Sequence, residues 1–226
     1  MYRFRPSMIA GNTLWLSGGL GVVGSPVSRW NDQSGQGNDF VQSSSGARPT
    51  FSAAGGPNGL PCLTGNGSSQ FLISTSLPAQ PTACSIFTVQ KASARTPLGC
   101  SFSIGNNNGI AAAVDGTGNV ERDVLAGGVA WIQDSTLSDT TSWEKWTITG
   151  SAAPLQTLRV NGAARTISPS NSSTIAATTG STIFSQTAAG SSFWNGSVAE
   201  IIVFDRVLSA AEIARVEGYL SWKYGL

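Results

Sequence analysis

The fold of this chain is decided by the stretch Asn195-Gly196-Ser197-Val198-Ala199-Glu200-Ile201-Ile202-Val203-Phe204. It opens on an Asn-Gly turn pair and continues as an apolar run rich in β-branched side chains. Such a run predicts a strand that is covered on both faces. Alternation places Glu200 on the same face as Val198, Ile202 and Phe204, which predicts a buried carboxylate bound by the backbone of a neighbouring loop.

A helix follows this strand. Ser209 and Glu212 have the spacing of a capping box, in which each side chain accepts a hydrogen bond from the backbone of the other residue. Arg215 and Glu217 are expected to point away from the sheet. The apolar positions share one helix face through their three- and four-residue spacing: Ile213, Val216 and Leu220.

Two motifs bracket the chain. The first comprises Ile9-Ala10-Gly11, Leu14-Trp15-Leu16, Val27-Ser28-x-Trp30-x-Asp32-x-Ser34-Gly35-x-Gly37-Asn38-Asp39 and Arg48-Pro49-Thr50-Phe51. The second runs from Gly196 through Ser209-x-x-Glu212 to Gly218-Tyr219-Leu220-x-Trp222-Lys223-Tyr224-Gly225. In order and spacing both resemble concanavalin A-like (laminin G-like) jelly-roll domains of bacterial and phage surface proteins. The resemblance implies an all-β fold, a two-sheet antiparallel jelly-roll sandwich with a short C-terminal α-helix.

Composition agrees with one domain over residues 1–226. The chain has 27 glycines and only 11% charged residues, which is typical of short strands joined by many turns. The net charge of +1 gives no electrostatic reason to bind nucleic acid or an anionic membrane. We find no recognisable signal peptide at Met1 and no run of about 18 apolar residues that could span a membrane.

The cysteine content indicates the redox compartment in which the chain folds. Cys62, Cys84 and Cys100 are odd in number, and the chain has no histidine, which excludes a Cys/His zinc site. We favour buried free thiols over one disulfide with a leftover cysteine, which fits synthesis in a reducing cytoplasm. A phage virion reconciles this with the family's external location, although a trimmed signal peptide would give the same sequence.

The amino-acid composition limits the catalytic mechanisms that this chain could use. Without histidine, Ser-His-Asp and Cys-His catalysis are excluded, which leaves a glycosidase with two carboxylates. Related jelly-roll glucanases carry a Glu-x-Asp-x-x-Glu type of strand motif. Here Glu121-Arg122-Asp123 lacks the third acid and is interpreted as an exposed turn with a local Arg pairing. We therefore expect no enzyme. The alternative is a glycoside hydrolase whose acids come from distant strands.

One loop has the composition of a cation site. Asp32, Asn38 and Asp39 combine side-chain oxygens with glycines, and such oxygens are the ligands that Ca²⁺ prefers. A network of Asx turns that ties the loop to the sheet explains the same residues and is favoured. We expect that no cofactor is required. Ca²⁺ is the cation that this loop could bind.

Sugar recognition would need an exposed aromatic ring beside polar groups. Of the seven tryptophans, Trp131 and Trp194 have the most loop-like surroundings, and Asn195 follows the second of them. These three residues are the candidate carbohydrate-binding residues. The tryptophans of the bracketing motifs are expected in the core: Trp15, Trp30 and Trp222.

The resemblance implies a non-enzymatic surface or virion protein, either a phage capsid decoration or a tail adhesion module. Its partners would be surface polysaccharide or other virion proteins. Adhesion would need one exposed aromatic pocket. Decoration would need a broad flat patch and would favour a homo-oligomer. Both roles place the protein on a virion or an extracellular surface.

Overall fold

Two antiparallel β-sheets and a C-terminal helix make up the computed structural model, which describes residues 4–77, 83–93, 99–104, 110–115, 121–126, 130–134, 141–150, 156–166 and 180–226. The helix α1 spans Ala210–Tyr224. The strands are β1 Asn12–Ser17, β2 Val22–Val23, β3 Arg29–Trp30, β4 Phe40–Val41, β5 Thr50–Ser52, β6 Cys62–Asn66, β7 Leu72–Ser74, β8 Cys84–Ala92, β9 Gly99–Ile104, β10 Ile110–Asp115, β11 Glu121–Ala126, β12 Ala130–Asp134, β13 Glu144–Gly150, β14 Gln156–Val160, β15 Ala163–Ala164, β16 Ser181–Ile183 and β17 Asn195–Phe204.

The strands form two packed layers. Sheet A has the order β15-β14-β13-β8-β17-β6-β5, and β1 pairs with the second half of β17. Sheet B has the order β12-β11-β10-β9-β16-β7-β4-β3-β2. A core that includes Trp30, Phe40, Trp146 and Ile201 lies between the sheets. The predicted two-sheet antiparallel sandwich with a C-terminal helix is confirmed.

Strand β17 lies at the centre of sheet A, as predicted. It pairs with β8 along one edge, and β6 and β1 share its other edge in turn. The register with β8 shifts between Val198 and Glu200, so Ala199 forms a bulge. Because a bulge adds one residue to the period of two, Val198 and Glu200 lie on opposite faces. The prediction that they share a face was therefore wrong.

Helix α1 packs on the outer face of sheet A, where Val216 and Leu220 join a second core with Ile202 and Phe204. Its capping box is confirmed, because the Glu212 amide donates to Ser209 Oγ and the Ser209 amide donates to Glu212 Oε2. The helix ends at Gly225, whose φ of 72° is left-handed backbone that favours glycine.

Three expectations from the sequence are corrected. Glu217 is buried, since Thr147 and Arg159 from sheet A donate hydrogen bonds to its carboxylate. Trp222 is 59% exposed, because it falls on the side of α1 away from the sheet. Glu121–Ala126 is strand β11 and not a turn, since β10 and β12 pair with it on both sides.

The three cysteines are buried free thiols, as predicted. Burial raises the pKa of Cys84 and of Cys100 to about 12. In the described part of the chain, no helix has the length and apolar character needed to cross a membrane.

Candidate functional site

A cleft opens on the outer face of sheet B, at the edge formed by β2, β3 and β4. Adjacent residues of a strand point to opposite faces. In each of these short strands one residue joins the core and its neighbour faces outward. The core-side residues are Val22, Trp30 and Phe40. The outward residues are Val23, Arg29 and Val41, which are directly paired across the three strands.

The cleft has a volume of about 510 Å³, which is within the range of small-ligand sites. Its floor is partly apolar, because Val23 is 46% exposed and Val41 is 36% exposed. Its polar lining includes Arg29, Asn31, Ser43 and Arg48. An amphipathic surface of this kind suits a ligand that has both C–H faces and hydroxyl groups.

Arg48 is held in place within the cleft. Its Nε donates to the Gln42 carbonyl at 3.0 Å, and its Nη2 donates to the Ser43 carbonyl at 3.1 Å. Gln42 is fixed in turn, because its side-chain amide donates to the Phe71 carbonyl at 3.1 Å. This wall of the cleft is therefore preorganised, and the Arg48 charge has no acidic partner among the described residues.

Arg29 and Asn31 are less constrained. The Arg29 side chain is 54% exposed, and its ion pair with Asp39 Oδ2 is long at 3.9 Å. The Asn31 side-chain amide makes no hydrogen bond with any residue that the structure describes. Both groups are free to bind a ligand.

The predicted cation loop follows β3, and its Asp39 lies 3.9 Å from Arg29 of the cleft. Asp32 Oδ1 accepts hydrogen bonds from the backbone amides of Trp15 and Ser34, each at 2.9 Å. Asp32 Oδ2 accepts from Ser34 Oγ at 2.6 Å and from the Asn38 amide at 3.1 Å. Four donors fill the acceptor sites of this carboxylate, which is the Asx-turn network favoured from the sequence.

The other two loop residues also have structural roles. Asp39 Oδ1 accepts from the Asp32 amide at 2.8 Å, and the Asn38 side-chain amide donates to the Thr13 carbonyl at 2.8 Å. Within the described ranges, no three His, Cys, Asp or Glu side chains come together as metal ligands. A cation at the Asp32 carboxylate would have to displace its four donors.

The structure describes the side chains of two of the three predicted sugar-binding residues. Trp194 is only 2% exposed, so its ring offers no face for stacking. Asn195 is partly exposed at the start of β17 in sheet A. Trp131 lies in β12, at the opposite edge of sheet B from the cleft, and its side chain is outside the described part of the structure.

Glu200 is buried, as predicted, but its partners are side chains and not loop backbone. Its Oε1 accepts from Trp15 Nε1 at 2.7 Å and from the Tyr219 hydroxyl at 2.9 Å. Its Oε2 accepts from Lys223 Nζ at 2.5 Å and from the Tyr224 hydroxyl at 2.6 Å. The carboxylate is thereby enclosed, with 1% of the residue exposed. It joins α1 to β17 and has no access to a ligand.

Several other described carboxylates are bound by partners within the protein. None of the described residues that line the cleft is acidic. The bound pairs are Glu144 with Trp146, Asp134 with Arg165, Glu217 with Arg159 and Glu212 with Arg206.

Sequence reasoning did not find the cleft. Three two-residue strands are too short to show an alternating pattern. The one usable signal was the bracketing motif Val27 to Asp39, which contains Arg29 and Asn31 but was interpreted as a cation loop.

The sandwich topology and the C-terminal helix define the class of protein. A family model described as the concanavalin A-like lectin/glucanases superfamily matches residues 65–214, which is more than half of the chain. The chain belongs to this superfamily. No curated protein matches the sequence.

Solved structures share the fold at low identity. A Trypanosoma rangeli sialidase has a TM-score of 0.65 at 12% identity, covering 95% of this chain and 33% of the sialidase chain. Domain 4 of AbnA, a GH43 extracellular arabinanase from Geobacillus stearothermophilus in complex with arabinotriose, has a TM-score of 0.64 at 13% identity, covering 91% of this chain and 98% of that one. The binding domain of Paraclostridial Mosquitocidal Protein 1 has a TM-score of 0.65 at 14% identity, covering 96% and 53%.

Proposed function

We propose that this chain is a non-catalytic carbohydrate-binding domain and that its sugar site is the cleft formed by β2, β3 and β4. The observation that carries the proposal is the pairing of exposed Val23 and Val41 with free polar groups on Arg29 and Asn31. A sugar ring presents C–H groups on its faces and hydroxyls at its edge, so both kinds of surface have a partner.

The family supports a binding role. Domain 4 of the arabinanase, which this chain matches over nearly its whole length, is solved in complex with arabinotriose. A non-catalytic role is supported by the lining of the cleft. Glycoside hydrolysis needs two carboxylates that flank the bond, and the lining contains no acid within the described ranges.

The setting that we propose is a virion or an extracellular surface, as a capsid decoration or a tail adhesion module. The three buried free thiols accord with folding in a reducing compartment before release. The glycan partner would then be a polysaccharide of a cell surface.

The purified protein is tested on a glycan array, scoring retention and the release of shortened sugars. Asn31→Ala should weaken retention about five- to tenfold, the contribution of roughly one hydrogen bond. The matched control is Asn195→Ala, which removes the amide of the residue predicted from sequence and should retain normal affinity. Loss of retention only in Asn195→Ala would move the site away from the cleft, and release of shortened sugars would establish an enzyme.

A further inference from the structure

We propose that the cleft selects acidic saccharides and that the Arg29 guanidinium binds the sugar carboxylate. This inference rests on the proposed function and names the class of glycan that the site takes. It follows from the charges in the cleft, from the freedom of Arg29 and from the fixed position of Arg48.

The cleft is net positive. Arg29 and Arg48 both line it, and no acid is found among its described lining residues. Asp39 is the one acid that forms an ion pair with either arginine among the described residues, at 3.9 Å from Arg29. Two positive charges and one negative charge leave a local charge of +1 at Arg29, Arg48 and Asp39.

The two arginines differ in how many of their N–H donors are already bound within the protein. Arg48 donates hydrogen bonds from Nε and Nη2 to backbone carbonyls. Its charge is therefore held in a fixed position, and one edge of its guanidinium remains open to a ligand. Arg29 makes no hydrogen bond with the described residues beyond its long ion pair, so its full fork of N–H donors remains available. A guanidinium fork matches a carboxylate in a bidentate pair, and such pairs are stronger than hydrogen bonds between neutral groups.

The neighbours of Arg29 would orient the ring. Val23 and Val41 are directly paired with Arg29 on the same sheet face, which places an apolar residue on each side of Arg29. The free Asn31 amide lies at the same cleft and can bind a hydroxyl. A monoanionic sugar would therefore gain an ion pair, an apolar contact and one neutral hydrogen bond.

The probes are trigalacturonate and sialyllactose, each tested beside its methyl ester, which removes the charge and keeps the ring. Affinity is measured by calorimetry at about 0.15 M salt, where surface charges separated by more than about 8 Å are screened. We expect at least one acid to bind ten times or more tightly than its ester. Arg29→Gln should remove this preference, and Arg29→Lys should restore only part of it.

Two further variants separate recognition from general attraction. Arg5→Gln makes the same charge change at an exposed arginine outside the cleft and should leave binding unchanged. Asp39→Asn removes a nearby negative charge and should tighten acid binding about two- to threefold, because the sugar carboxylate is no longer repelled by Asp39.

Each contrary outcome has a distinct meaning. If acids and esters bind equally and Asn31→Ala weakens both, the acidic preference is overturned and the proposed function stays in place. Equal losses in Arg29→Gln and Arg5→Gln would also overturn it, since the attraction would not be specific to the cleft. No retention of any probe, and none on the glycan array, would overturn both proposals.

Discussion

The Tyr224 hydroxyl donates a 2.6 Å hydrogen bond to the buried Glu200 carboxylate, which joins the last turn of α1 to the middle of β17. Burial raises the pKa of Tyr224 above its usual value, and the Glu200 charge raises it further, so the hydroxyl stays protonated and continues to donate. The Glu200 carboxylate is thus one of the polar groups that connect the helix to the sheet, beside the Glu217 carboxylate.

Glu200→Gln should lower the free energy of unfolding by about 3 kcal/mol, because it leaves a lysine and two tyrosine hydroxyls facing a neutral amide. Urea denaturation measures the loss. The control Asp205→Asn changes an exposed carboxylate just beyond the same strand and should have little effect. Equal stabilities of the two variants would show that the Glu200 network does not hold the helix.

The helix cap should respond to acid. The Arg206 guanidinium and the Ser209 hydrogen bonds lower the pKa of Glu212 to about 2. A depressed folded-state pKa stabilises the protein above the usual value of about 4.5, and this contribution is lost as the pH falls toward 2. Glu212→Gln should therefore lower Tm at neutral pH, and its difference from the unsubstituted protein should shrink between about pH 4.5 and pH 2. A constant difference across this window would contradict the cap assignment.

The three thiols should be unreactive in the folded protein. Cys84 and Cys100, with pKa values of about 12, carry almost no thiolate at neutral pH, and Cys62 is also buried with a raised pKa. A chromogenic disulfide reagent should label none of them under native conditions and all three in denaturant. Rapid native labelling would show that one thiol is accessible.

The Asp32 loop should be independent of calcium. Asp32→Ala removes the acceptor of four hydrogen bonds and should cost about 2 kcal/mol of stability. Tm should be the same with excess Ca²⁺ and with chelator. A rise in Tm with Ca²⁺ that Asp32→Ala abolishes would instead establish a cation site in this loop.

Trp194 should matter for stability and not for sugar binding. Its ring is buried in the core between the sheets, and Trp194→Phe should cost about 1–2 kcal/mol by leaving space unfilled. Retention on the glycan array should be unchanged. Lost retention at full stability would restore the interpretation of Trp194 as a stacking platform.

The sequence predicts the parts of this fold that depend on local patterns. An apolar run bounded by turn residues identified β17, and the spacing of Ser209 and Glu212 identified the start of α1. Both signals act over a few residues. The bulge at Ala199 was not predicted, because no glycine or proline marks it in the sequence. This one extra residue places Val198 on the opposite face from the one predicted.

Features that depend on distant residues could not be predicted in this way. The burial of Glu217 depends on Arg159 and Thr147, which are 58 and 70 residues away. The candidate cleft brings together three two-residue strands and the loop that follows β3. Composition identified the polar atoms of that loop, but only the hydrogen bonds show that Asp32 uses its oxygens on the protein itself.

The place of β17 in sheet A has a consequence for biosynthesis. Its neighbours β1, β6 and β8 all leave the ribosome before it, yet none of the edges that they share with it can be completed until it emerges. During translation the β8 edge remains open, and open apolar edges invite pairing with other chains. A nascent chain of this protein therefore has its greatest need of chaperones late in synthesis, and stalling before Asn195 would leave an aggregation-prone product.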